Sequence, residues 1–125
     1  MSAATVSLRA AAAVFPVSDV SNSVTHYRDT LGFDVEFTYG EPLAYAGVER
    51  GGAAIHLQAG GDTQRQPGQA AIYVFVTGVD ALCEELRSRG ARILVEPKTY
   101  DYGMRDFAII DLDGNQLTFG EASSP

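Results

Sequence analysis

Apolar residues recur at the helical interval in two short stretches of this chain and alternate with polar residues in most of the rest. Val20, Val24, Tyr27 and Leu31 mark the first helical stripe, with Ser18 or Asp19 as N-cap and Gly32 as the stop. Val79, Leu82 and Leu86 mark the second, which Asp80 begins and Gly90 ends. Each predicts one amphipathic helix of about three turns. Strands are predicted over Ala11 to Val17, Phe33 to Tyr39, Leu43 to Glu49 and Ala53 to Ala59, then Ala70 to Thr77, Arg92 to Val95, Arg105 to Asp111 and Gln116 to Glu121. Two hairpins follow from Arg50-Gly51-Gly52 and from Asp111-Leu112-Asp113-Gly114-Asn115, whose residues tolerate positive φ.

The order is βαβββ, twice. Val17-Ser18-Asp19-Val20 and Val76-Thr77-Gly78-Val79 introduce the two helices at an offset of 59, and Gly52 to His56 parallels Gly114 to Thr118 at an offset of 62. The expected fold class is α+β: two βαβββ repeats forming a curved eight-stranded sheet around a concave ligand cavity, with both helices on the convex face. Residues 1–10 read as a flexible arm, 11–121 as one domain and 122–125 as a tail. Within the domain, repeat 1 spans about 11–59, a polar linker 60–68, and repeat 2 about 70–121.

Strand alternation sorts the faces. Ile55, Leu57, Leu117 and Phe119 pack under the helices, as do Ile72, Val74 and Val76. Ala54, His56, Gln58, Gln116, Thr118 and Gly120 then face the cavity, together with Ala12, Val14, Pro16, Ala71, Tyr73 and Phe75.

Composition narrows the partners. The 125 residues carry 46% hydrophobic residues, enough for one ordinary core. No apolar run reaches the ~18 residues of a membrane span, and no secretory leader is recognisable, so a soluble cytoplasmic protein is expected. A net charge of -7 opposes phosphate backbones, excludes nucleic acid as the expected partner and favours a cationic ligand. The single Cys83, between Leu82 and Leu86, reads as a buried thiol.

The candidate ligand residues are His56, Tyr73, Phe75, Tyr102, Arg105 and Thr118. His56, the cavity's only imidazole, can act as a metal ligand, a base, a hydrogen-bond donor or a packed histidine, and no carboxylate on its own strand orients it. Tyr73 and Phe75 can stack on a planar group or fill space. Their strand is apolar on both faces, so a ligand or a second subunit should cover one of them. Tyr100, Tyr102 and Met104 form an adaptable surface around the loop before the closing hairpin, while Arg105 can pair with Asp106 or another carboxylate. His26 is expected on a solvated or subunit-facing side and is given no role.

Two motifs carry a family resemblance. Val17-Ser18-Asp19, with Tyr27-Arg28-Asp29-Thr30-Leu31-Gly32-Phe33, resembles the opening V-x-D…FY…LGF pattern of the glyoxalase and bleomycin-resistance (vicinal oxygen chelate) superfamily. Tyr102-Gly103-Met104-Arg105-Asp106-Phe107 through Asp111-Leu112-Asp113-Gly114-Asn115 resembles its closing WGxREF…DPDGN pattern, with Tyr102 in place of Trp and Leu112 in place of Pro. The resemblance covers about residues 11 to 121. It implies metal-ligand positions at Ala12, His56, Ala71 and Thr118, of which only His56 is a strong donor, and Glu121 falls outside this set on the opposite strand parity. The expected function is therefore a metal-free, cofactor-free binding protein of bleomycin-resistance type, a homodimer that sequesters a hydrophobic or cationic aromatic compound. The alternative is a divalent-metal enzyme, such as a glyoxalase-like lyase or dioxygenase, with His56 and a carboxylate such as Glu49 as unorthodox ligands.

Overall fold

The computed structural model describes residues 5–123; residues 1–4 of the expected arm and 124–125 of the expected tail lie outside them. The chain runs β1 (Ala13–Val17), α1 (Val20–Asp29), β2 (Asp34–Tyr39), β3 (Tyr45–Arg50) and β4 (Ala53–Ala59), then β5 (Ala71–Phe75), α2 (Val79–Ser88), β6 (Arg92–Thr99), β7 (Met104–Ile110) and β8 (Gln116–Ala122). This is the expected βαβββ order, twice. The eight strands fall into two four-stranded sheets, ordered β1-β4-β3-β2 and β5-β8-β7-β6, with β1 and β5 as edges that approach one another. Each helix covers its own sheet.

Local chemistry sets the helix ends. The Asp19 carboxylate accepts the Asn22 N–H at 2.9 Å and caps α1, so Asp19, not Ser18, is the N-cap. At α2 the N-cap is Gly78, which has no side chain to offer, and Glu121 caps from β8 instead: its carboxylate accepts the Gly78 and Val79 N–H groups at 3.1 and 3.0 Å. All expected strands but β4 shift at one or both ends, most by one or two residues. A 3-10 turn (Gly60–Asp62) occupies the linker, β8 extends to Ala122, and β6 runs on to Thr99 through Pro97, which an edge strand tolerates.

One apolar core spans both repeats, with Phe15, Tyr27, Ile55 and Leu57 from the first and Phe107, Ile109 and Leu117 from the second fully buried. A polar joint locks the halves beneath it. Asn115 accepts the Gly68 and Ala70 N–H groups and donates to the Pro16 carbonyl and Asp111 Oδ2. Asp111 Oδ2 also accepts the Tyr27 hydroxyl at 2.8 Å, and burial beside this carboxylate pushes the Tyr27 phenol well up. The Asp111 to Asn115 motif is thus a device for satisfying buried backbone across the two repeats.

Candidate functional site

Away from the helices, each sheet presents an aromatic face. On the first, Ile55 and Leu57 point into the core, which turns His56 outward beside Tyr45 and Phe37. The Tyr45 hydroxyl and His56 Nδ1 share a hydrogen bond at 2.9 Å. The Phe37 and Tyr45 rings lie nearly parallel, 6.2 Å apart, and His56 stands edge-on to both at 5.3 Å. Phe37 lies flat because Gly47 has no Cβ to meet it. A cavity of about 470 Å³ adjoins this cluster, lined by Phe37, Tyr39, Tyr45 and Asp62.

On the second sheet, Tyr73 and Phe75 project together, their rings 5.2 Å apart, and Phe75 is 79% exposed. Tyr73 reaches across Gly120, where a Cβ would collide with its hydroxyl, and donates to Asp106 Oδ2 at 3.0 Å. Desolvation, then the Asp106 hydrogen bond and charge, push the Tyr73 phenol up to about 12, so it stays a neutral donor. Thr118 lies beside Tyr73 in register, its hydroxyl accepting Gln116 Nε2 at 3.1 Å. Tyr102 stacks on Tyr100 at 5.2 Å, and the Lys98 ammonium sits 5.2 Å over the Tyr100 ring. A cavity of about 990 Å³ opens alongside β5, bordered by Tyr73 and Phe75, by Phe33 and Arg50 of the first repeat, and by Leu82 and Glu85 of α2.

The candidate residues therefore divide. Tyr73, Phe75 and Thr118 come together on the second sheet, with Tyr102 near Asp106, while His56 belongs to the first. Arg105 is drawn away: its guanidinium grips Asp80 of α2 through bonds of 3.0 and 2.8 Å and Thr99 Oγ1 at 3.1 Å, and the pairing with Asp106 is not made. Phe37 and Tyr45 were not singled out by the sequence, and Asp106 was named only as a partner for Arg105. The mid-strand glycines Gly47 and Gly120 were the readable signal, since a glycine inside a strand marks close approach of another group.

The metal positions implied by the resemblance do not fit a divalent ion. Ala12 and Ala71 carry no donor, leaving the His56 imidazole and the Thr118 hydroxyl on separate sheets. In register, Val14 lies beside His56 and Tyr73 beside Thr118, so neither neighbour adds a metal donor of the usual kind. Among the described residues no three His, Cys, Asp or Glu side chains converge as a metal-holding group. His26 is half-buried rather than solvated, with Nε2 enclosed and lacking a hydrogen-bond partner, and desolvation lowers its pKa. Cys83 is buried as expected, and desolvation raises its thiol pKa. Among the described residues no helix is long and apolar enough to cross a membrane.

Residues 9–119 match the family model described as the Glyoxalase/Bleomycin resistance protein/Dioxygenase superfamily. Among solved structures, the chain is similar to the bleomycin-binding protein from bleomycin-producing Streptomyces verticillus complexed with copper(II)-bleomycin: 27% identity, TM-score 0.75, covering 97% of this chain and 100% of that one. An antibiotic binding protein from Streptomyces sp. CB03234 shares the fold at TM-score 0.79 and 24% identity, over 96% of this chain and 100% of that one. A superfamily member from Sphaerobacter thermophilus does so at TM-score 0.78 and 24% identity, over 91% and 97%. No curated protein matches the chain.

Proposed function

The chain belongs to the Glyoxalase/Bleomycin resistance protein/Dioxygenase superfamily, and from that membership we propose that it is a binding protein that sequesters a planar, hydrophobic or cationic aromatic compound without transforming it. One observation carries this reading: both sheets hold aromatic rings on their outward faces, preset over strand glycines and largely free of reactive groups. Rings held in place before binding lose little entropy on contact, so stacking and apolar burial convert efficiently into affinity. Tyr73, Phe75, Tyr102 and His56 would supply the stacking surface, and Thr118 a hydrogen bond. The similarity to a bleomycin-binding protein supports the same class of ligand.

The reading needs no metal or other cofactor. Metal analysis of protein purified without chelator is expected to find substoichiometric metal; a stoichiometric ion released by His56→Ala would instead favour the enzyme alternative.

A homodimer is part of the proposal. β5 is an edge strand with Tyr73 and Phe75 exposed on one face and Ile72 and Val74 only partly covered on the other, and Val6 and Leu8 of the arm are exposed as well. Apolar surface of this kind is best covered by a second copy, which would also bring the aromatic faces of two chains together. Scattering or sedimentation should return twice the monomer mass. Titration with bleomycin-type glycopeptides and a small aromatic library, followed by tyrosine fluorescence and heat, tests the binding itself. Saturable binding is expected, and failure of every compound would remove the reading.

A further inference from the structure

Asp106 is only 7% exposed and belongs to none of the ion pairs among the described residues. Its close partners are phenols: Tyr73 donates to Oδ2 at 3.0 Å, and Tyr102 stands near enough that, after desolvation, the Asp106 charge raises its pKa. Two bases could have neutralised the carboxylate. Arg105, next in sequence, is committed to Asp80 on the other side of the strand. Lys98 lies directly opposite Asp106 on β6, yet its ammonium rests over the Tyr100 ring.

A carboxyl group withdrawn from water is best answered by a positively charged partner. Neutral phenols answer it only in part. The Asp106 carboxyl sits on the aromatic face with a phenol donor and no cationic partner, and Lys98 places a cation over the Tyr100 ring that stacks on Tyr102.

We propose that Asp106 is the charge-selecting residue of the second aromatic face, receiving a protonated nitrogen of a ligand whose planar part stacks on Tyr73, Phe75 and Tyr102. The inference rests on the binding reading above and adds to it a ligand class: flat aromatic cations, preferred over neutral molecules of the same shape. Tyr73 positions the carboxylate, and Lys98, over the Tyr100 ring, competes with the ligand for the tyrosine cluster.

Two dyes of the same ring system test this: proflavine, cationic at mildly alkaline pH, and acridine, neutral there. Asp106→Asn keeps shape and hydrogen bonding while removing the charge. It should weaken proflavine by about 10–100-fold, the usual size of a charge-assisted hydrogen bond, and leave acridine within about twofold. Lys98→Gln should tighten proflavine alone, which keeps the question open if Asp106→Asn does not fold. Glu84→Gln, an equal charge loss on the exposed side of α2, should move neither dye. A carboxylate that merely holds Tyr73 in place would make Asp106→Asn weaken both dyes equally, or neither, and that result sinks the inference alone. Wild-type protein that binds neither dye would remove the binding reading together with it.

Discussion

The first strands of the two repeats, β1 and β5, occupy equivalent places in the fold and meet opposite fates. β1 is an edge strand whose Phe15, Pro16 and Val17 are fully covered, and the Pro16 carbonyl is held by Asn115 of the other repeat. β5 is also an edge strand, but Phe75 stands in solvent and a cavity of about 990 Å³ runs along it. Sequence symmetry built two such edges, and the Asp111 to Asn115 loop closed one of them. The loop that would close the other is the hairpin of Gly51 and Gly52, which supplies no buried polar side chain and only borders the cavity. Intramolecular satisfaction of one edge leaves the other available for a ligand or a second chain.

The largest effect should come from releasing β1. Asn115→Ala removes a fully buried side chain that holds two part-buried N–H groups and one backbone carbonyl, at a cost of about 2–4 kcal/mol in urea unfolding. Gly68→Ala acts on the same joint through the backbone. Gly68 has φ +89°, and a Cβ there would strike the Asp113 carbonyl, which cannot move aside. A loss of about 2 kcal/mol or more is expected, combining left-handed strain with the clash. The open edge should behave differently. Gly120→Ala also introduces a collision, chiefly with the hydroxyl end of the 40% exposed Tyr73, which can swing out, and a tight 3.0 Å approach to the Asp106 Cβ. Stability should fall by about 1 kcal/mol or less while binding of aromatic ligands drops, and equal destabilisation by Gly68→Ala and Gly120→Ala would erase the distinction between the two edges.

Elements whose causes are local were legible in the sequence. Both helices, their apolar stripes, the two repeats and the outward parity of His56, Tyr73 and Thr118 follow from spacing and from glycine stops, though of these three only Tyr73 lines a cavity. Features that depend on partners far along the chain were not. Glu121 caps α2 from more than forty residues away, so nothing near Gly78 announces its cap. Phe37 reaches Gly47 through a register shift between Val35 and Phe37 that strict alternation cannot anticipate. The sequence pairs Arg105 with Asp106 or another carboxylate; consecutive strand residues point to opposite faces, so it is the distant Asp80 of α2, which the sequence does not single out as its partner, that claims the guanidinium.

The smallest effect belongs to the tie that spans the open side. Arg50 leaves the end of β3 to meet Glu85 of α2 through two bonds of 2.8 Å and donates to the Leu31 carbonyl at 3.0 Å, bridging the halves at the rim of the cavity. Both side chains are about one-third exposed, so solvent screens the pair, and Arg50→Met should cost only about 0.5–1 kcal/mol. This tie has a shifted carboxyl. Hydrogen bonding to Arg50 holds the Glu85 carboxyl below its ordinary value of 4.5. A group whose folded pKa is depressed stabilises the fold above its unfolded value and loses that contribution as pH falls through the folded one. The difference in stability between wild type and Arg50→Met should thus be full at neutral pH and shrink below about 4.5. For Asn115→Ala, whose partners include the neutral backbone groups of Pro16, Gly68 and Ala70, a large part of the difference should persist into acid. A gap for Arg50→Met that stays constant with pH would show that the arginine acts through the Leu31 carbonyl alone, and that the Glu85 pair is not a pH-sensitive brace of the open edge.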